Sequence, residues 1–162
     1  MVEGGTKMTL ILLEPEVAGE IGEKTTFSNN TYPNRMKEIS HLHYKFQGWL
    51  GDELLESTPC FIVTENLANS IKSSELNGFM FNEVEVTVSD LFKGLYPNKP
   101  LPNFKRLIPR GKVFVGNGKY TGWSQEDFCL SQNLELVVST NAFEIINKHP
   151  LNHCDVIKLN KD

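Results

Sequence analysis

Basic residues never accumulate in this chain. Its longest run of them is Lys105-Arg106, and 16 lysines and arginines stand against 20 aspartates and glutamates. A domain that grips nucleic acid carries a basic face and a high isoelectric point. A net charge of −4 and an isoelectric point near 5.6 exclude nucleic acid as the expected partner and suit a basic protein partner instead. Cysteine is equally sparse. Cys60, Cys129 and Cys154 form no C-x-x-C pair, and an odd count argues against a disulfide framework. Long apolar runs are missing too. Leu10 to Leu13 and Cys60 to Val63 fall far short of the ~20 residues that span a bilayer. The start, Met1-Val2-Glu3-Gly4-Gly5, has neither the basic nor the apolar region of a secretory signal. These absences predict a cytoplasmic protein with no membrane association.

What is present is a repeated unit. Phe61 to Phe81 reads as an apolar strand, a short helix, a turn and a second strand, and the same pattern returns from Leu136 to Val156. The step is 136 − 61 = 75 residues and holds without a gap. Val63/Val138, Asn66/Asn141, Leu76/Leu151 and Asn77/Asn152 are identical pairs; Ile62/Val137, Thr64/Ser139 and Ile71/Ile146 are conservative ones. Thr64 and Ser139 are placed to cap the two helices. Leu67 and Ile71, and Ala142 and Ile146, face the core at i, i+4. Asn77-Gly78 and Pro150 stop the helices. The expected class is therefore α/β (α+β): a single domain over residues 1–162, with a mixed sheet, short helices and a strand–helix–strand pseudo-repeat at 61–81 and 136–156.

Elsewhere the pattern is weaker. Residues 1–7 read as a flexible tail, Leu10 to Leu13 as a buried strand ended by Pro15, and Gly19 to Asn34 as a long loop. Ser40 to Phe46 alternates as a strand, with Leu42, Tyr44 and Phe46 on one face and His41, His43 and Lys45 on the other. Asp52 to Glu56 reads as a short helical turn. Val84, Val86 and Val88 alternate with polar residues, Ser89 opens a capped turn, and Tyr96 to Asn103 is a proline-stiffened connector. Phe104 to Ile108 reads as a strand. Gly116-Asn117-Gly118 signals a three-residue hairpin loop.

Four histidines and a cysteine raise the question of a metal. His41, His43, His149, His153 and Cys154 contain the right donors for zinc. On a strand, however, adjacent His153 and Cys154 point to opposite faces, so no metal and no stoichiometric zinc are expected. No cysteine or serine hydrolase signature is present. Val115 to Lys119 lacks the spacing of a phosphate-binding loop, so no catalytic residue and no cofactor are expected. Trp49 and Trp123 each follow a glycine and precede acidic pairs, Asp52/Glu53 and Glu126/Asp127. Two readings compete here: each ring plugs the rim of the core, or each is an aromatic anchor ringed by carboxylates in a protein-binding surface. The expected binding residues on the second reading are Trp49, Asp52, Trp123, Glu126 and Asp127.

The unit built from Cys60 to Glu65, its helix, Leu76 to Phe79 and Val84-Glu85-Val86 resembles segments of small bacterial proteins, some of them immunity proteins of polymorphic toxin systems. The resemblance spans roughly 60–88 and 134–159 and contains no catalytic motif. It implies a non-enzymatic, cytoplasmic, often acidic protein that covers a toxin's active site; together with the charge balance, the expected partner is a basic toxin domain. The competing expectation is a small enzyme or metal-binding protein using the His41/His43 strand face.

Overall fold

The computed structural model describes residues 9–32 and 36–162; the tail expected at 1–7 lies outside them. The strands in chain order are β1 (Thr9–Glu14), β2 (Gly19–Ile21), β3 (Thr26–Thr31), β4 (Lys37–Phe46), β5 (Leu54–Ser57) and β6 (Cys60–Thr64). Helix α1 (Glu65–Lys72) leads to β7 (Phe79–Asn82), β8 (Val84–Val88) and helix α2 (Asp90–Leu95). Then come β9 (Phe104–Pro109), β10 (Gly111–Gly116), β11 (Lys119–Thr121), β12 (Phe128–Ser131) and β13 (Leu136–Ser139). Helix α3 (Thr140–Ile146) and β14 (Asp155–Lys161) complete the chain. The fold is α+β, strand-rich, with short helices and both parallel and antiparallel pairs.

The repeat is a strand–helix–strand unit in both places, with Val63 and Val138 buried. Thr64 Oγ1 accepts from Leu67 N and Ser139 Oγ from Ala142 N, each at 3.1 Å, so both helices start on the expected cap.

The likeness runs further than the sequence step suggests. Strands β10-β11-β14-β1-β13-β12 close into a six-stranded barrel, sealed by the parallel pairing of Gly111 with Cys129. The other half follows the same circuit. Its sheet β5-β6-β9-β7 ends at β7, and the chain runs on from β7 into β8. Strand β8 pairs with β4 in a second sheet that includes β2, and a parallel bridge from Glu16 to Leu55 leads back to β5. Registers agree between the halves. Leu107 pairs with Phe81 where Leu13 pairs with Val156, and Tyr44 pairs with Val86 where Tyr120 pairs with Lys161. The N-terminal strand β1 thus takes in the C-terminal half the place that β9 takes in the other. The chain crosses over: the C-terminal half is discontinuous, with β1 joining β10 to β14, while the other half runs unbroken from β2 to β9.

Three apolar clusters follow from this plan. Leu10, Leu12, Val113, Tyr120, Cys129, Val137 and Leu159 fill the closed barrel. Tyr44, Phe46, Leu55, Ile62 and Phe104, with others, fill the first ring. Ile11, Leu13, Leu54, Phe61, Val63, Phe128, Leu136 and Val138 join the halves between them, under α1 and α3. Strands β1, β5, β6 and β13 therefore bury both faces.

Several expectations are corrected. Gly19 to Asn34 is not all loop, since β2 and β3 both pair with β4. Residues 54–57 form strand β5 rather than a helical turn, because Leu54 and Leu55 must reach opposite cores. The hairpin loop is the two residues Asn117-Gly118, both at positive φ, with Gly116 already paired to Lys119. His153 and Cys154 precede β14 instead of lying on it.

Candidate functional site

Each tryptophan closes its own loop. Trp49 Nε1 donates to Asp52 O at 2.8 Å and Trp123 Nε1 to Glu126 O at 2.9 Å. Both loops turn through a left-handed residue, Gly51 and Gln125. Each ring meets an aromatic edge-on, Trp49 against Phe104 at 6.1 Å and Trp123 against Tyr120 at 6.2 Å. The acidic residues behind them hold the two copies together. Asp127 accepts from Ser139 Oγ (2.7 Å) in its own copy and from Asn77 N (2.9 Å) in the other, and Asp127 N donates back to Asn77 Oδ1. Reciprocally, Asp52 accepts from Asn152 N and His153 N, and Glu53 N donates to Pro150 O.

These contacts decide what the expected binding residues can do. Asp52 is 0% exposed, so its carboxylate faces inward and not toward a partner surface. Asp127 and Glu126 are half-buried, and Asp127 is engaged on both oxygens. Trp49 and Trp123 are half-buried and line separate pockets, one in each half.

The pockets differ. Beside Trp49 lies an open groove of about 600 Å³, walled by Pro100, Leu101 and Pro102 and by the start of α1, with Glu53 and Glu65 at its edge. Glu65 is exposed. Lys99 fixes the far side of the connector: its Nζ donates to Trp49 O at 2.7 Å and sits 5.4 Å from the Trp49 ring and 4.8 Å from that of Tyr96. Beside Trp123 the space is about 280 Å³ and is lined by Lys161 and Asp162 in place of two glutamates. Copies that share a loop have diverged in charge around it. Proline and leucine walls, an aromatic ring and two carboxylates suit a long cationic side chain, whose stem packs on apolar surface while its head meets an acid. The connector at 96–103 signalled this groove only as a stiff segment, because nothing local tells which tryptophan it will reach.

The histidines do not converge. His41 Nε2 meets Glu85 Oε1 at 3.2 Å, and Lys24 Nζ reaches Glu85 Oε2 at 3.1 Å; these two contacts, His41 first, hold the Glu85 carboxyl below its ordinary range. His43 is 0% exposed. Its Nδ1 accepts from Lys24 N at 3.2 Å, which makes it the neutral tautomer with Nε2–H donating to Thr87 Oγ1 at 2.7 Å. The 22–25 turn therefore covers His43, while His41 on the same strand face stays exposed beside Glu85. His149 bridges Glu53 Oε1 and Ser70 Oγ, each at 2.9 Å. His153 Nδ1 lies 3.2 Å from Asp52 Oδ1. No cysteine is placed as a nucleophile: burial pushes Cys60 and Cys129 up to about 11 and Cys154 up to about 12.

No protein-family model matches the chain, and no curated protein matches it. Among the described residues no helix is long and apolar enough to cross a membrane.

Proposed function

We propose that this chain acts by binding a protein, and that its groove beside Trp49 receives a lysine- or arginine-bearing segment of a basic partner. The observation that carries this reading is the pairing of an aromatic and proline-walled groove with Glu53 and Glu65 on one copy of a duplicated loop, and its absence from the other copy. Among basic partners, the resemblance to immunity proteins favours a toxin domain whose active site the chain covers. No cofactor takes part in this reading, and binding rather than chemistry is the activity.

Co-expression with a toxin encoded beside the gene for this chain tests the proposal. The wild-type chain restores growth; Glu65→Lys, on an exposed position, removes protection while the protein stays folded. Truncating an aromatic anchor costs on the order of 2 kcal/mol of binding energy, so Trp49→Ala weakens the complex at least about thirtyfold by that figure. Full protection by the Trp49→Ala, Glu65→Lys double variant contradicts the groove. Failure of the wild type to protect contradicts the immunity role.

A further inference from the structure

Where β1 hands the chain to β2, Glu16 turns inward toward the crossing of the two halves. It is 9% exposed; its Oε2 accepts from Leu50 N at 2.9 Å, and its Oε1 is buried with no hydrogen-bond partner. Fully buried Asp52 lies beside it, and half-exposed His153 closes the group from the solvent side, with its side chain 42% exposed. One ligand atom from each of Glu16, Asp52 and His153 falls within 4.8 Å of the other two. Cys154, the neighbour of His153, is outside this group; its Sγ donates to Asp155 O.

An unpaired buried carboxylate oxygen is costly, and two buried carboxylates side by side are more so. Their described ion pairs include no lysine or arginine, only the contact of His153 with Asp52. Asp52 is anchored by the Asn152 and His153 backbone amides, which fixes its oxygens before any ligand arrives. A preset carboxylate, a second one with a vacant lone pair and an imidazole at the mouth make a metal-ligand set, and it opens to water on one side only.

We propose that Glu16, Asp52 and His153 bind a divalent first-row transition cation at the junction of the two halves. The mixed oxygen and nitrogen donors, with no thiolate, suit zinc or manganese better than calcium or magnesium, which favour oxygen alone. Water completes the coordination. The inference is independent of the groove at Trp49. It also differs from the histidine and cysteine set considered from sequence, because only His153 is common to both and neither carboxylate was part of that set. Glu16 carried no signal in the sequence beyond following Pro15.

Titration calorimetry and thermal melting with zinc chloride test it on the full chain freed of any affinity tag. The expected result is about one zinc per chain, a melting temperature that rises with zinc, and at least a tenfold loss of affinity in both Glu16→Gln and His153→Ala. His41→Ala, at a histidine remote from the group in the fold, leaves the affinity unchanged. Glu16 is buried and its variant can fail to fold; His153 is at the surface, so His153→Ala then decides alone. No zinc binding by the wild type, or affinity unchanged in His153→Ala, overturns the proposal.

Discussion

His43 sits inside a tight setting in which a single glycine matters. A β-carbon at Gly22 would lie 2.1 Å from His43 Nδ1, so the turn over the ring can pass only with no side chain there. Gly22→Ala must displace the imidazole or lift the turn, and we expect a loss of about 1–3 kcal/mol, the usual range for overpacking a filled site. Urea unfolding measures it; a midpoint equal to that of the wild type would mean the turn moves at no cost. The cysteines allow a second residue-level test. All three are unpaired, and burial holds Cys60, Cys129 and Cys154 above the ordinary thiol range. Because the thiolate is the reacting form, native protein at neutral pH should react slowly with a thiol-specific disulfide reagent. Complete and rapid modification before unfolding would show that these side chains are not held as described.

At the level of elements, the two caps make a matched pair. Thr64 and Ser139 each accept from the third amide of their helix, and each donates to an acid, Glu53 or Asp127, at 2.7 Å. Thr64→Ala and Ser139→Ala should each cost about 2 kcal/mol, from the lost cap and the lost charged hydrogen bond together. The test is denaturant unfolding of both single variants. A large loss in one and none in the other would break the equivalence of the two copies.

The caps were legible in the sequence because a hydroxyl before an amphipathic turn is a local signal, as were the helices they open and the alternation in β8. The equivalence of β1 with β9 was not legible. Leu10 to Leu13 and Phe104 to Leu107 share no identities at matched places other than Leu13/Leu107, and β1 lies on the wrong side of the repeat in sequence. Strand β5 was misread because Leu54 and Leu55 face different cores, which removes the alternation that marks a strand. Glu16 and the connector at 96–103 gain their meaning from residues far along the chain, and no local pattern announces that.

At the scale of the whole molecule, two halves share a plan and differ in their surroundings. Asp127 grips the loop after α1, and Asp52 and Glu53 grip the loop after α3, so the halves are tied by reciprocal hydrogen bonds. On that frame only the Trp49 loop faces a groove with two glutamates. Association with a basic partner at this groove should slow as salt rises above the level where the Debye length is ~10 Å, since charged rims act mainly on encounter.

The two tryptophans give the most direct test, because each contributes one indole N–H signal to a nitrogen–proton correlation spectrum and each signal reports a different half. The measurement is a titration of labelled chain with a short peptide rich in arginine and lysine, followed at both indoles and repeated on Trp49→Phe to assign them. The expected result is that the Trp49 indole and the amides of Glu65 and Asn66 shift together and that the Trp123 indole stays in place. Movement of Trp123 instead, or of neither, would contradict the claim that the Trp49 groove is the partner's seat.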